Sequence, residues 1–423
     1  MSIEFVYFLI MVGVFILGAF ALKLPVSLSM FAASLITLII SGNAAGGIRH
    51  LVEGTFAYVD TILVIATAMI FMRSVQESGS LDALSIVIIK RFRNFPVLLL
   101  PLLMLVAMFP GMITGSSSAS VLTAGAIVAP VLVTLGLPVL NAGAFIATAG
   151  ILGMIAPPVN IPAMLIGGGI DMPYVGFAVP LLLLTMPLAI LFSWYFGLKH
   201  IKKMSWDDLS SKLDVAVYEK YGLRLFIPIV LVALLMVLGQ ILPGIFGVGL
   251  PVVFLVGAAS GFFVGKRFNI LKAAKSAVND ALPVLGILAG VGMFIQVMTL
   301  TGVRGFVVVS ALSVDPALLY GAIAITMPVF GAVSAFGSAS VLGVPFLLAL
   351  LNTDQIITAA ALSLIASLGD FMPPTALSAI FAAQVIGEEK YSRVLRRLII
   401  PGLVIIVWAL LFITFSKQIR SIL

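Results

Sequence analysis

The sequence predicts an all-α polytopic membrane protein. The expected plan is an inverted repeat of two five-span halves, each with one re-entrant helical hairpin. Three observations carry this expectation: extreme apolarity, two over-long apolar segments interrupted at their midpoints by Gly and Ser, and landmarks that recur in one order in both halves. Of 423 residues, 62% are hydrophobic and only 9% charged, against about 25% charged in a soluble domain. Mean hydropathy is +1.27. A water-soluble fold cannot cover that much apolar surface with 23 basic and 16 acidic side chains. A soluble enzyme, a disordered chain and a nucleic-acid binder are thereby excluded. In such a chain the net charge of +7 reads as cationic loops anchoring it by the positive-inside rule. With no cysteine there are no disulfides or thiolate sites, and His50 and His200, both in polar stretches, make a poor metal site.

The elements follow in order. Residues 5–22 form an apolar run long enough to cross a bilayer. The run follows Glu4, not a positive cluster, and exceeds a signal-peptide core, so it reads as a retained first span. Apolar segments follow at about 25–43, 57–76, 97–135, 141–170, 173–197, 224–243, 247–265, 280–299, 313–350, 355–384 and 398–416. The longest polar break, 199–222, is expected to hold an amphipathic surface helix. Segments 97–135 and 313–350 are too long for single spans and are broken by Gly115-Ser116-Ser117-Ser118 and Phe336-Gly337-Ser338. Each reads as a hairpin that enters the membrane and returns. Non-helical backbone at that depth survives only where protein or a water-filled cavity surrounds it. Asp60 and Asp280 read as helix N-caps, Asp171 and Asp354 as loop residues, and Arg304 as an interfacial anchor.

Ser118-Ala119-Ser120-Val121-Leu122 recurs as Ser338-Ala339-Ser340-Val341-Leu342, a spacing of 220 (338 − 118). The two Pro-Pro pairs, Pro157-Pro158 and Pro373-Pro374, follow in the same order, and Phe71 with Gly79 matches Phe294 with Gly302. The division is residues 1–197 as first repeat, 198–223 as cytoplasmic linker and 224–423 as second repeat. With five spans and a hairpin per half and the N-terminus outside, 19 of the 23 Lys and Arg fall in cytoplasmic loops; only Arg49, Arg304, Lys417 and Arg420 do not. An odd number of spans per half makes the repeat inverted.

Inverted repeats with discontinuous helices point to a secondary transporter, because two pseudo-equivalent halves can exchange inward- and outward-facing states. Broken helices expose N–H groups that attract anions and carbonyls that coordinate cations. Gly115, Ser118, Pro157, Gly337, Ser338, Asp370 and Pro373 are the candidate Na⁺ ligands: Gly permits the turn, Pro frees upstream carbonyls, and hydroxyls add hard oxygens. Asp370 stands at the break of an apolar segment, where an ionisable residue is a functional candidate by default; it could equally cap the half-helix beyond. Ser116, Ser117, Ser340, Asn160 and Thr375 are the candidates for holding a substrate carboxylate. A channel fits two closed hairpins less well. A Ser118 or Ser338 hydrolase lacks a partner, since neither His nor Lys lies near either tip.

The stretch from Thr114 to Pro158, with its Gly-Ser-Ser tip, Gly-Leu-Pro break and Gly-rich run into Pro-Pro, resembles the large membrane subunit of TRAP transporters. The likeness is closest over residues 55–197 and covers the whole chain in length and topology. It implies an elevator-type member of the ion transporter superfamily, taking up organic acids with Na⁺. It further implies a small four-helix membrane subunit and an extracytoplasmic binding protein. Val159-Asn160 follows the first Pro-Pro pair where that family usually carries Ser, and the second hairpin tip lacks the family's acid.

The sequence-based reading is therefore a non-enzymatic, multi-pass protein of a bacterial or archaeal inner membrane. It symports a small organic anion, of dicarboxylate or sugar-acid type, with Na⁺ through the lipid bilayer. A proton-coupled carrier without a binding protein is the alternative. The orientation is directly testable, because single cysteines can be introduced into a chain that has none. Ser210→Cys should resist an impermeant thiol reagent in intact cells and react after permeabilisation; labelling in intact cells reverses the topology.

Overall fold

The computed structural model describes residues 2–201, 215–312, 315–373 and 375–423. Three expectations fall outside these residues: the surface helix across 202–214, the start of the second hairpin at 313–314, and Pro374. The described residues form helices without a strand. Eight helices among them are long and apolar enough to cross a membrane, with shorter apolar helices between. Every expected apolar segment appears as one helix or as a broken pair. The chain is thus a polytopic α-helical membrane protein.

Burial sorts the helices into layers. Helix Val139–Ile155 is buried continuously from Ala142, and Gln355–Ser367 continuously from Ile357. A helix apolar on every face belongs at the centre of the fold, and these two are the central elements of the first and second halves. The first hairpin, Pro96–Thr114 followed by Ser117–Thr134, and helix Leu377–Val385 pack on Val139–Ile155. The second hairpin packs on Gln355–Ser367. Around this unit stands a frame in which helix Ile270–Leu300 lies against Val26–Ile40, Ala44–Phe56 and Val59–Ser78. Leu250–Val264 crosses Val59–Ser78, tied by the Ser74 hydroxyl donating to the Ala258 carbonyl at 2.8 Å.

Small residues set the close approaches, as expected where apolar burial cannot distinguish protein from lipid. A Cβ on Gly54 would lie 2.6 Å from the Gly292 carbonyl oxygen, and one on Gly292 would meet the Gly54 carbonyl. The central unit uses the same device twice. Gly153 faces the Met108 carbonyl on the first hairpin, and Gly369 faces the Gly331 carbonyl on the second.

Three acid assignments are corrected. Asp280 does not cap a helix: the helix begins ten residues earlier at Ile270, and Asn269 caps it by accepting from the Lys272 N–H at 2.9 Å. Asp354 is not a plain loop residue; it caps Gln355–Ser367, accepting from the Ile357 N–H at 3.0 Å. Asp60 lies in the first turn of Val59–Ser78 without capping it.

The glycine contacts give a matched test. Gly292→Ala should cost about 1–3 kcal/mol, the usual penalty for overpacking. Gly13→Ala, whose added Cβ meets nothing within 4 Å, should leave stability unchanged or raise it slightly. Thermal unfolding of both variants in detergent checks the contrast.

Candidate functional site

In both hairpins a serine caps the return helix. In the first, Gly115 at φ +64° ends helix Pro96–Thr114, a conformation that strains residues carrying a Cβ. Ser116 then caps the return helix, accepting from the Ala119 N–H at 3.3 Å. In the second, helix Pro316–Gly331 ends and Ser334 caps the return helix, accepting from the Gly337 N–H at 3.1 Å. Four residues past each cap a serine crosses between the arms. Ser120 donates to the Met108 carbonyl at 3.2 Å and accepts from the Gly111 N–H at 2.7 Å. Ser338 donates to the Met327 carbonyl at 2.7 Å.

The geometric repeat therefore pairs Ser116 with Ser334 and Ser120 with Ser338. It also pairs the π-helical starts Val121 and Ala339, at a spacing of 218 (334 − 116). The letter match of Ser118 with Ser338 is two residues out of this register. The second tip accordingly lies at Ala332–Ser334, before Phe336-Gly337-Ser338, which belong to the first turn of the return helix.

The breaks dock on the tips. At the first, the Val159 N–H donates to the Met112 carbonyl of the hairpin arm at 3.1 Å. At the second, the Thr375 hydroxyl donates to the Ala332 carbonyl at 2.7 Å. Asn160 is fully buried and uses its whole amide. Its Oδ1 accepts from the Ala163 N–H at 2.9 Å, capping half-helix Ile161–Gly168. Its Nδ2 donates to the Ile155 carbonyl at 3.0 Å and to the Ser363 hydroxyl at 2.9 Å. Ser363 lies in the second half's central helix, so Asn160 joins the two halves. A second bond does the same: the Ser117 hydroxyl donates to the Asp370 carboxylate, both buried.

The N-cap reading of Asp370 is corrected by this bond. The carboxylate lies in the short 3₁₀ turn Leu368–Phe371, and the following half-helix starts after Ala376 with no side-chain cap. Asp370 stands three residues before Pro373, and Met154 stands three before Pro157, so one repeat carries a carboxylate where the other carries a thioether.

The far end of half-helix Ile161–Gly168 is also held. The Tyr58 hydroxyl donates to the Leu165 carbonyl at 3.2 Å, and the Arg304 guanidinium donates to the Gly169 carbonyl. A cation there opposes the negative end of the helix dipole. Arg304, expected to be an interfacial anchor, thus holds the end of this half-helix.

A family model described as the tripartite ATP-independent periplasmic transporter, DctM component, matches residues 11–419. The chain belongs to this DctM family. It is the large membrane subunit type of a TRAP secondary transporter, and a tripartite transporter works with two further components. Two solved structures share the fold. The YdaH transporter of Alcanivorax borkumensis is 14% identical, with a TM-score of 0.61 over 89% of this chain and 89% of that one. MtrF of Neisseria gonorrhoeae, described as illuminating a class of antimetabolite efflux pumps, is 13% identical, with a TM-score of 0.61 over 90% and 86%. No curated protein matches the sequence.

The candidate residues of this DctM chain separate into groups. Ser117, Asn160, Asp370 and Thr375 meet partners across the breaks. Ser118 is half-buried, and its hydroxyl has no hydrogen-bond partner among the described residues. Ser338 and Ser340 turn inward on their own hairpin, Ser340 donating to the Gly337 carbonyl at 3.0 Å; both keep lone pairs free. The Gly337 N–H is taken by Ser334. Pro157 borders a cavity of about 580 Å³ between the first break and helices Ile227–Ile241 and Leu250–Val264. Pro373 is exposed on another face. Two residues escaped sequence reasoning: the buried hydroxyl of Ser378, one residue into the second half-helix, has no hydrogen-bond partner among the described residues, and that of Tyr174, on the wall of that cavity, lies beside the Asn160 backbone N–H. Neither stands in a motif.

The Ser117–Asp370 bond can be tested against its neighbour. Ser117→Ala removes the donor from a buried carboxylate and should cost about 1–3 kcal/mol. Ser118→Ala removes an unbonded hydroxyl and should change stability little. Thermal unfolding in ligand-free detergent, free of Na⁺, separates them.

Proposed function

We propose that this TRAP large subunit couples entry of a small organic anion, of dicarboxylate or sugar-acid type, to Na⁺. One observation carries the reading: the first hairpin tip reaches the second break, where Ser117 donates to the buried Asp370 carboxylate, and each break docks on its own tip, so the groups available there are one carboxylate with hydroxyl and carbonyl oxygens. That donor set is hard and nearly neutral, and oxygen donors are what a hard cation takes in preference to nitrogen or sulfur. Asp370 supplies the one full charge, Ser118 and Ser378 the unspent hydroxyls, and the carbonyls freed before Pro157 and Pro373 the remainder. The anion's carboxylate would be met by the Ser116 hydroxyl, whose proton is unspent, with Ser117, Asn160, Ser340 and Thr375 exchanging the hydrogen bonds they now make for bonds to it. The cavity beside Pro157 and Pro158 gives it room and a route. Binding of Na⁺ lowers the electrostatic cost of bringing an anion towards Asp370, which makes cation and anion binding mutually dependent.

Movement of the central unit against the frame, with Tyr58 and Arg304 releasing half-helix Ile161–Gly168, would expose the site alternately on the two sides. The expected extracytoplasmic binding protein would deliver the anion, and the small membrane subunit would brace the frame.

Asp370 also favours a second reading. Its hydrogen bond comes from a hydroxyl and no cationic side chain pairs with it among the described residues, so a buried carboxylate there is neutralised by a bound cation or by a proton. Proton coupling is the version without Na⁺.

A thermal-shift screen of organic acids, each in Na⁺ or choline, distinguishes these readings. An authentic substrate at about 100 times its Kd adds about 2.7 kcal/mol, and in the Na⁺-coupled reading it does so only with Na⁺. Asp370→Asn should then need more Na⁺ for the same shift. Stabilisation that follows pH and ignores Na⁺ would replace Na⁺ with a proton. No shift with any acid in either salt would remove the organic anion.

A further inference from the structure

The second break has an outer face away from the tips. There an apolar groove of about 540 Å³ runs between helix Pro316–Gly331, residues Leu368–Pro373 and helix Tyr391–Thr414. Along the last helix it extends from Ser392 to Ile406, ~21 Å at 1.5 Å per residue. One leaflet of hydrocarbon is ~15 Å deep, so the groove is long enough for an acyl chain lying against the protein.

Polarity is confined to one end. Ser392 and Arg396 are the polar lining residues, and they stand one turn apart near the start of the helix. Lys390, Arg393 and Arg397 flank them in the sequence. Arg393 is engaged by Glu388 at 3.4 Å. Glu388 is held below the ordinary carboxylate range, chiefly by the Lys390 N–H and also by Arg393, and so stays charged. Arg396 is exposed and unpaired among the described residues. The unsatisfied N–H groups of the first turn add to the positive potential there.

Gly402 supplies an independent observation. It lines the groove inside a continuous helix, and a Cβ on it would meet nothing within 4 Å. Gly54, Gly153, Gly292 and Gly369 lack side chains because another backbone presses on them; Gly402 has no such neighbour. Glycine at a helix interior costs about 1 kcal/mol against alanine, and here its effect is to keep the groove open.

We propose that this groove is a binding site for one anionic phospholipid. Its phosphate sits at Ser392 and Arg396, and an acyl chain lies along Gly402 towards Ile406. The groove wall includes Phe371 and Met372, immediately after Asp370, so the lipid rests against the back of the second break.

Native mass spectrometry of the purified chain tests this, with phosphatidylglycerol and phosphatidylcholine of identical acyl chains added in turn. Wild type should retain one phosphatidylglycerol in preference to phosphatidylcholine. Arg396→Ala should reduce that preference about fivefold, the effect of one basic side chain at an anionic headgroup. Arg397→Ala, which does not line the groove, should leave it largely intact. Gly402→Trp should lower retention of both lipids while leaving thermal unfolding close to wild type. Equal retention of the two lipids by wild type would overturn the proposal. So would equal losses in Arg396→Ala and Arg397→Ala, which indicate a diffuse basic surface, or unchanged retention in Gly402→Trp. A second copy of the chain held on this face in place of lipid would overturn it as well.

Discussion

A helix broken inside a membrane leaves peptide groups that lipid cannot satisfy, and the arrangement of this protein follows from answering them. Each Pro-Pro break is met by the tip of its own hairpin, through Val159 to Met112 and through Thr375 to Ala332. Each tip is in turn a break that needs support, and Ser120 and Ser338 supply it by tying the two arms together. The two central helices, buried from Ala142 and from Ile357 onward, are the platform on which this exchange takes place. Glycine at 153 and 369 lets the arms come close enough for it. In the function proposed above, binding chemistry arises here because such oxygens and N–H groups, together with Asp370, are strong ligands at that depth.

Much of this was legible in the sequence. The spans were visible because each is a continuous apolar run. The hairpins were visible because Gly and Ser at the midpoint of such a run have no other economical explanation. The Pro-Pro pairs marked the breaks because proline removes an N–H wherever it stands. Asp280 was misread because its helix begins in polar residues that resemble a loop, with Asn269 as the true cap.

The contacts that join the halves were not legible. Ser117 and Asp370 are 253 positions apart, and Asn160 and Ser363 are 203 apart; no local pattern encodes either pair. The register of the repeat was misleading for a related reason. Five small apolar letters matched at 220, whereas the caps and crossing serines match at 218. What was retained between the halves is the place of a hydrogen bond, and the neighbouring letters drifted around it. Ser378 and Tyr174 were missed because a single hydroxyl in an apolar run carries no signal until its surroundings are known.

The pairing of Asp370 with Met154 has a consequence for the resting machine. Two halves of identical composition would make the inward and outward states mirror images of equal free energy, and an empty carrier would divide its time evenly between them. A lone acid in one half removes that degeneracy, since the two states cannot place it in equivalent surroundings. In the alternating-access cycle proposed above, such a difference between the halves would give the empty carrier a preferred side on which to wait.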